Sequence, residues 1–377
     1  MDKTIRNVDW ILLACLVALA MIGSVAPILQ DDPQILRKYI AFWVIGMLGF
    51  TALCFVPLKN LERASLPIYA ATLLFLDLAF FMADVHWGAR RWIDLGAVKL
   101  QPAELMKWAL IVALAGWFAC REAKGKLTIS VSFLLAMLPA TIIFMQPDFG
   151  LFLAIVIISY IMIIAAGLSR RLIFLTLAGA AATMTLLWNL MYEYQKVRIS
   201  ALFDPQLAIE YGLQHVLPFN LLANAYDRFP KLVPFDTGGL FDLGKVSMQP
   251  VESVLRWGDG LVGVIAFTLA ISVYALLLSR ILMIRYRSRD RFARILATGI
   301  ATLFTFNVVA NVGMAFSFFP VLTTLAPLPF IGSDGAALIS MVAAMGLVMR
   351  IAIESNVSSE NTEESPELDE TTIRLNI

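Results

Sequence analysis

The chain has 377 residues, of which 60% are hydrophobic and only 15% are charged, and its mean hydropathy is +0.80. This composition excludes an ordinary soluble globular protein and predicts an integral membrane protein. The formal net charge of +1 gives no strong field that would favour binding to nucleic acid.

Ten apolar runs are long enough to cross a membrane, which takes about 20 predominantly apolar residues in a helix. None of them alternates between polar and apolar residues as the strands of a membrane barrel do. We therefore predict an all-α polytopic membrane protein with spans at residues 10–28, 39–57, 66–84, 102–119, 129–145, 150–168, 172–190, 258–279, 294–318 and 333–353. The first run lacks a convincing small-residue cleavage site, so we expect it to be retained as a helix.

The basic residues predict the orientation, because the cytoplasmic loops of membrane proteins carry an excess of Lys and Arg. Alternate connections are the basic ones, and they hold Lys3 and Arg6; Lys59 and Arg63; Arg121, Lys124 and Lys126; Arg170 and Arg171; and the six arginines from Arg280 to Arg294. This pattern places the N-terminus in the cytoplasm. An even number of spans then places the C-terminus there as well.

Two long segments lie outside the predicted spans. Residues 191–257 form an outer loop between the seventh and eighth spans, with apolar pieces that suit short amphipathic helices on the bilayer surface. Residues 354–377 contain seven acidic residues and one arginine, which predicts a disordered cytoplasmic tail. The predicted division is therefore a transmembrane domain at residues 1–353, which includes the loop, and an acidic tail at residues 354–377.

One outer connection carries unusual charge for a membrane boundary. The stretch GARRWIDLGAVKLQPAELMK, residues 88–107, enters the fourth span at Pro102, and proline is tolerated in a first helical turn. Glu104 and Lys107 are three residues apart, so they share a helix face and can pair. Two interpretations stay open. The pair is either an ion pair that fixes helix packing or a polar wall that faces a cavity.

Two further polar breaks lie at the same predicted boundary. MQPDFG, with Asp148, separates the fifth and sixth spans, and PLPFIGSDG, residues 327–335, leads into the tenth. Each break alone is weak evidence, because short loops need Pro and Gly simply to turn. Three such breaks on one side predict polar backbone around one water-accessible site.

The end of the outer loop reads MQPVESVLRWGDGLVG, residues 248–263. Asp259 lies just before the eighth span, where a carboxylate is suited to cap the helix and to favour its dipole. Glu252 is four residues before Arg256 and upstream of the apolar run, so it has no equally simple role. Glu252 is therefore harder than Asp259 to explain by structure alone.

These stretches together resemble the signatures of the SEDS family, the polytopic proteins of bacterial shape, elongation, division and sporulation. GARRWIDLG…LQPAELMK is similar to a family segment in which Gly-Ala-x-Arg-Trp-Ile precedes Gln-Pro-Ser-Glu and a lysine three residues later, with Ala103 in place of the usual serine. MQPDFG resembles Gln-Pro-Asp-Leu-Gly. EYQKVRISALFDP is similar to the start of the family's large outer loop, and FNVVANVGMAFSFFPVLTTLAPLPFIGSDGAAL to its closing signature.

The resemblance implies polymerisation of lipid II into glycan strands on the outer face of the bacterial cytoplasmic membrane, in elongation and cell shape or in division. It also implies a partner, a class B penicillin-binding protein that crosslinks the new strands. The rod-shape elongation members look closer than the division members. Two other functions stay open: a flippase that transports the lipid-linked precursor, and a non-catalytic scaffold that activates the penicillin-binding protein.

The chain departs from the family where the catalytic residue is expected. Family members usually carry the proposed catalytic Asp in a Pro-Glu-x-His-Thr-Asp-Phe-type segment, whereas this chain has PVESVLRWGDGLVG. GLVG matches the start of the following helix, but no Asp matches the catalytic position residue for residue. Glu252 is the nearest substitute, Asp259 the next, and Asp242 in TGGLFDLG the third.

The implied reaction is attack by a sugar 4-hydroxyl on the anomeric carbon of a diphosphate-linked donor. It needs a carboxylate to take the hydroxyl proton, a role for which we predict Glu252. It also needs positive charge beside the departing diphosphate, from Arg and Lys side chains or from a divalent cation such as Mg²⁺ or Mn²⁺. The predicted substrate-binding residues are Arg90, Arg91, Gln101, Glu104, Lys107, Gln146, Asp148 and Arg198.

Overall fold

The computed structural model describes residues 7–29, 33–82, 93–94, 99–146, 148–191, 196, 200, 261–315, 328–331 and 335–364. Most of these residues lie in ten α-helices, at the ten places predicted for spans. The helices are α1 (Trp10–Leu29), α2 (Pro33–Phe55), α3 (Leu58–Met82), α4 (Pro102–Ala119), α5 (Lys126–Met145), α6 (Phe149–Ala165), α7 (Arg170–Leu190), α8 (Leu261–Arg287), α9 (Arg291–Ala315) and α10 (Gly335–Glu364). The prediction of an all-α polytopic fold is confirmed.

Six of the described helices, α2, α4, α5, α8, α9 and α10, are long and apolar enough to cross a membrane. Helices α1 and α6 are apolar over the shorter stretches Trp10–Val25 and Gly150–Ala165. Within the described ranges, extended structure is confined to one antiparallel pair, β1 (Ile93–Asp94) with β2 (Lys99–Leu100), in which Ile93 faces Leu100. This hairpin directly precedes α4.

Several helices extend beyond the ends that were predicted for the spans. Helix α2 begins at Pro33 and α3 at Leu58, before the predicted starts at 39 and 66, and α8 continues to Arg287, past 279. Hydropathy marks only the apolar part of a helix, whereas backbone hydrogen bonds continue after the helix leaves the hydrocarbon. Helix α10 likewise continues to Glu364, past the predicted end of the tenth span at 353.

Helix α4 is the centre of the bundle. It packs against α3, α5, α6 and α9, and most of its residues are buried. A helix that is apolar on every side is expected in such a position. Gly299 allows α9 to approach closely, since a Cβ atom there would come within 2.6 Å of Ile111 on α4 and 2.7 Å of Met162 on α6.

The ends of the helices in the connections predicted to be cytoplasmic are joined by ion pairs. Arg280 Nε lies 2.7 Å from Asp9 Oδ2, and so links α8 to the start of α1. Arg291 donates a hydrogen bond to the carbonyl oxygen of Ala166 over 3.1 Å and lies 3.6 Å from Glu122. The pKa of Glu122 lies below its usual value because Lys124 donates a hydrogen bond to it, with Arg291 adding positive charge.

Candidate functional site

The first part of the site is the start of α4. Gln101 is the N-cap residue, and Pro102 occupies the first turn, as predicted. Proline suits this position because its missing N–H would have had no intrahelical partner. The N–H of Glu104 donates to the carbonyl oxygen of Gln101 over 3.0 Å, which closes the first turn.

The second part is a buried ion pair one turn further along α4. Lys107 Nζ lies 2.9 Å from Glu104 Oε1 and 2.8 Å from Oε2, so both carboxylate oxygens contact the ammonium group. Lys107 is 1% exposed and Glu104 is 4% exposed. The predicted pairing is confirmed. In this structure the pair is enclosed by protein rather than open to solvent.

The third part comes from the turn between α5 and α6. Asp148 caps α6, with Oδ1 accepting a hydrogen bond of 3.1 Å from the N–H of Leu151. Its other oxygen, Oδ2, accepts a hydrogen bond of 3.2 Å from Gln101 Nε2. Gln146, at the C-cap of α5, is also buried. The structure thus brings two of the polar breaks, 47 residues apart at Gln101 and Asp148, into direct contact.

The third polar break precedes α10, and residues 328–331 of it are described. Tyr39 on α2 donates a hydrogen bond to the carbonyl oxygen of Phe330 over 2.8 Å, and Tyr274 on α8 donates to that of Pro329 over 2.5 Å. Phe330 has a φ of 68°, in the left-handed region that non-glycine residues seldom adopt. The two tyrosines therefore hold a strained turn in place. Neither tyrosine was predicted from the sequence, because the residues around each of them do not indicate its distant hydrogen-bond partner.

Two asparagines on α9, the helix that packs against α4, were not predicted as site residues, although Asn311 lies in the stretch that resembles the closing family signature. Asn311 Nδ2 donates to the carbonyl oxygen of Asn307 over 2.8 Å. The side-chain amide of Asn307 is fully buried, and neither its oxygen nor its nitrogen has a hydrogen-bond partner among the described residues. Polar residues inside a membrane are rare, so two asparagines four residues apart in an apolar span could have indicated a functional position.

The other predicted site residues lie outside the described part of the chain: Arg90, Arg91, Arg198, Asp242, Glu252 and Asp259. The described cluster therefore consists of Gln101, Glu104, Lys107, Gln146 and Asp148. Among the described residues, no group of three or more His, Cys, Asp and Glu side chains is placed to hold a metal ion. Glu104 and Asp148, the carboxylates of the cluster, are already bound to protein donors.

The chain matches known proteins over nearly its whole length. A model of the FtsW/RodA/SpoVE family, described as "Cell cycle protein", matches residues 6–250 and 257–357. The chain belongs to this family. The predicted resemblance to the SEDS proteins is therefore confirmed, and this FtsW/RodA/SpoVE member is a multi-pass protein of the bacterial cytoplasmic membrane. Glu252 lies in the interval between the two matched segments, and Asp259 lies in the second segment.

Individual relatives agree with this assignment. The chain is 26% identical over 366 residues to peptidoglycan glycosyltransferase MrdB of Escherichia coli strain K12, covering 93% of this chain and 94% of the relative. It is 28% identical over 362 residues to the probable peptidoglycan glycosyltransferase FtsW of Trichlorobacter lovleyi, covering 91% and 93%.

Solved structures share the fold of this FtsW/RodA/SpoVE member. One, described as "Structural coordination of polymerization and crosslinking by a peptidoglycan synthase complex", has a TM-score of 0.71 and 25% identity, covering 92% of this chain and 98% of that chain. A point mutant of the rod shape determining protein RodA from Thermus thermophilus has a TM-score of 0.66 and 24% identity, covering 92% and 97%.

Proposed function

We propose that this chain polymerises lipid II into peptidoglycan glycan strands, for cell elongation and shape or for division. The chain is a peptidoglycan glycosyltransferase, in keeping with relatives of that name that align with more than nine-tenths of it. The observation that carries the proposal is the family match along the chain, together with the buried polar cluster that the family signatures form at the start of α4.

The cluster supports a role in positioning rather than in proton transfer. Glu104 is paired with Lys107, and each oxygen of Asp148 accepts a hydrogen bond from the protein, so neither is a free base in this structure. An ammonium group has three donors, and the two contacts to Glu104 leave capacity for one more acceptor on Lys107. We propose that Lys107, which is paired with Glu104 in this structure, joins Arg90, Arg91 and Arg198 in holding the diphosphate of the substrate. Guanidinium groups suit diphosphate oxygens because they form paired hydrogen bonds.

The base that removes the proton from the sugar hydroxyl is proposed to be Glu252, with Asp259 as the second candidate. The base must be a carboxylate within hydrogen-bond reach of the hydroxyl. The carboxylates of the described cluster are engaged, so the base is expected in the outer loop. A requirement for Mg²⁺ or Mn²⁺ is also proposed, with ligands other than Glu104 and Asp148, whose oxygens already accept from protein donors.

A class B penicillin-binding protein is the proposed partner. The support is a solved structure of similar fold, which is described as a peptidoglycan synthase complex that coordinates polymerisation with crosslinking. This partner would crosslink the strands that the chain produces. The penicillin-binding protein should be included in the activity assay, because the chain alone would represent only part of such a complex.

The deciding experiment combines the purified chain, its partner, lipid II and a divalent cation, and scores glycan strands on a gel. We expect the wild type to make strands and Glu252→Gln to reduce the rate by about 10²–10⁴-fold, the usual contribution of a general base. Glu210→Gln, in the same outer loop, is the matched control and should keep the wild-type rate. A wild-type rate in Glu252→Gln removes Glu252 from the role, and the same assay with Asp259→Asn then tests the second candidate.

One rival function is favoured by a specific observation. The interval 251–256 falls outside the family match, which suits a scaffold that keeps the fold and has lost catalysis. A scaffold makes no strands in the assay, and a Glu252→Gln/Asp259→Asn double variant would still complement loss of the chain in cells. A flippase would instead move lipid II across vesicles without forming polymer.

A further inference from the structure

A polar cavity lies at the opposite end of the bundle from the α4 cluster, between the start of α1, the end of α8 and α10. Its volume is about 240 Å³. Its polar and aromatic lining residues are Asp9, Trp10, Arg280, Arg287, Ser355 and Asn356. Ligand pockets that enclose a drug-sized molecule measure about 300–1,000 Å³, so this one suits a small polar group.

The charges in this cavity are unbalanced. Asp9 is buried and fully engaged, since both of its carboxylate oxygens accept from Arg280 Nε, over 3.0 and 2.7 Å, and Oδ1 also accepts from the N–H of Leu12. Arg287 is exposed and has no ion pair or hydrogen bond with another described residue. Two guanidinium groups against one carboxylate leave one positive charge in the cavity wall. An anion is therefore the complementary occupant.

The surroundings show which kind of anion fits. Trp10 lines the cavity and is 65% exposed, as expected of an aromatic residue at a membrane–water interface. Ile11 on α1, which also lines the cavity, and Met283 on α8 are exposed apolar side chains of the same two helices. The occupant should therefore join a negatively charged head group to an apolar tail that runs along α1 and α8.

We propose that this cavity binds the phosphodiester head group of an anionic phospholipid, with Arg287 as its principal charge partner and the acyl chains lying against α1 and α8. Basic residues at the cytoplasmic surface attract anionic lipids with about 1 kcal/mol each, which is about fivefold in affinity. The site is separate from the glycosyltransferase chemistry, and it can be tested whether or not the chain polymerises lipid II.

The test is native mass spectrometry of the full-length chain in detergent, titrated with phosphatidylglycerol or with phosphatidylcholine of the same acyl chains. We expect tighter binding of phosphatidylglycerol. Arg287→Gln should weaken it about fivefold, and Arg287→Lys, which keeps the charge, should stay within about twofold. Arg294→Gln is the matched control, because Arg294 is an exposed arginine of the same basic segment that does not line the cavity.

Three results would overturn the proposal. Equal binding of the two lipids would mean that the head-group charge is not recognised. Equal losses in Arg287→Gln and Arg294→Gln would mean a general attraction to basic surface. Displacement of phosphatidylglycerol by inorganic phosphate alone would assign the cavity to a free phosphate instead of a lipid.

Discussion

At the scale of single residues, the Glu104–Lys107 pair is the feature on which the site depends most. Breaking a buried pair from one side leaves an uncompensated charge, which typically costs about 3–5 kcal/mol. Replacing both partners with neutral side chains of similar size costs much less. We therefore expect Glu104→Gln and Lys107→Met to lower the thermal unfolding midpoint strongly, and the double variant to recover most of the loss.

The control for this double-mutant cycle is Glu122→Gln. Glu122 pairs with Lys124 and Arg291 where it is half exposed, and pairs of this kind contribute little, so this variant should change the midpoint far less. Single variants as mild as this control would contradict the prediction. The same proteins separate the two interpretations of the pair. If the double variant is stable but makes no glycan strands, the charges act on substrate. If strand synthesis returns with stability, the pair serves packing.

At the scale of elements, the contact between α2 and α10 depends on small residues. A Cβ atom at Gly346 would overlap the backbone carbonyl of Phe50, and one at Gly49 would lie 2.9 Å from the side chain of Ala343. Small residues let membrane helices approach this closely, because packing is a main source of their association. Backbone cannot move aside as a flexible side chain can, so α2 and α10 would have to separate.

We expect Gly346→Ala to lower the stability by about 1–3 kcal/mol, the usual cost of overpacking. The measurement is thermal unfolding followed by circular dichroism. Gly179→Ala on α7 is the matched control, because a Cβ atom there meets nothing within 4 Å. Alanine is also the better helix former, so the control should be neutral or slightly stabilising. Equal effects at the two glycines would remove close packing as the explanation.

At the scale of the whole molecule, the open question is which way the bundle crosses the membrane. Cys120 follows α4 and is exposed, whereas Cys15 is buried and Cys54 is half-buried. In the predicted orientation Cys120 is cytoplasmic. A membrane-impermeant maleimide should therefore label it in broken cells and not in intact cells. Ala97→Cys in a Cys120→Ser background, in the predicted outer connection, should be labelled in both. Labelling of Cys120 in intact cells would reverse the orientation.

The sequence predicted the fold and the site to different extents. The ten helices of the described residues were all predicted, because an apolar run of sufficient length in lipid has essentially one conformation that satisfies its backbone. Pairing of Glu104 with Lys107 also followed from spacing, since residues three apart on a helix are neighbours. The ends of α2, α3, α8 and α10 were misjudged, because charged turns beyond the hydrocarbon carry no hydropathy signal.

The sequence by itself determined the helices, the family and the local pair on α4, because each depends on residues close together in the chain. Only the tertiary structure decided that Gln101 contacts Asp148, that Tyr39 and Tyr274 hold the turn at Phe330, and that Asp9 meets Arg280 beside a cavity. These contacts join residues on different helices. Helix order and direction do not specify which sides of two helices pack together, and that choice depends on the shapes of side chains along the entire bundle.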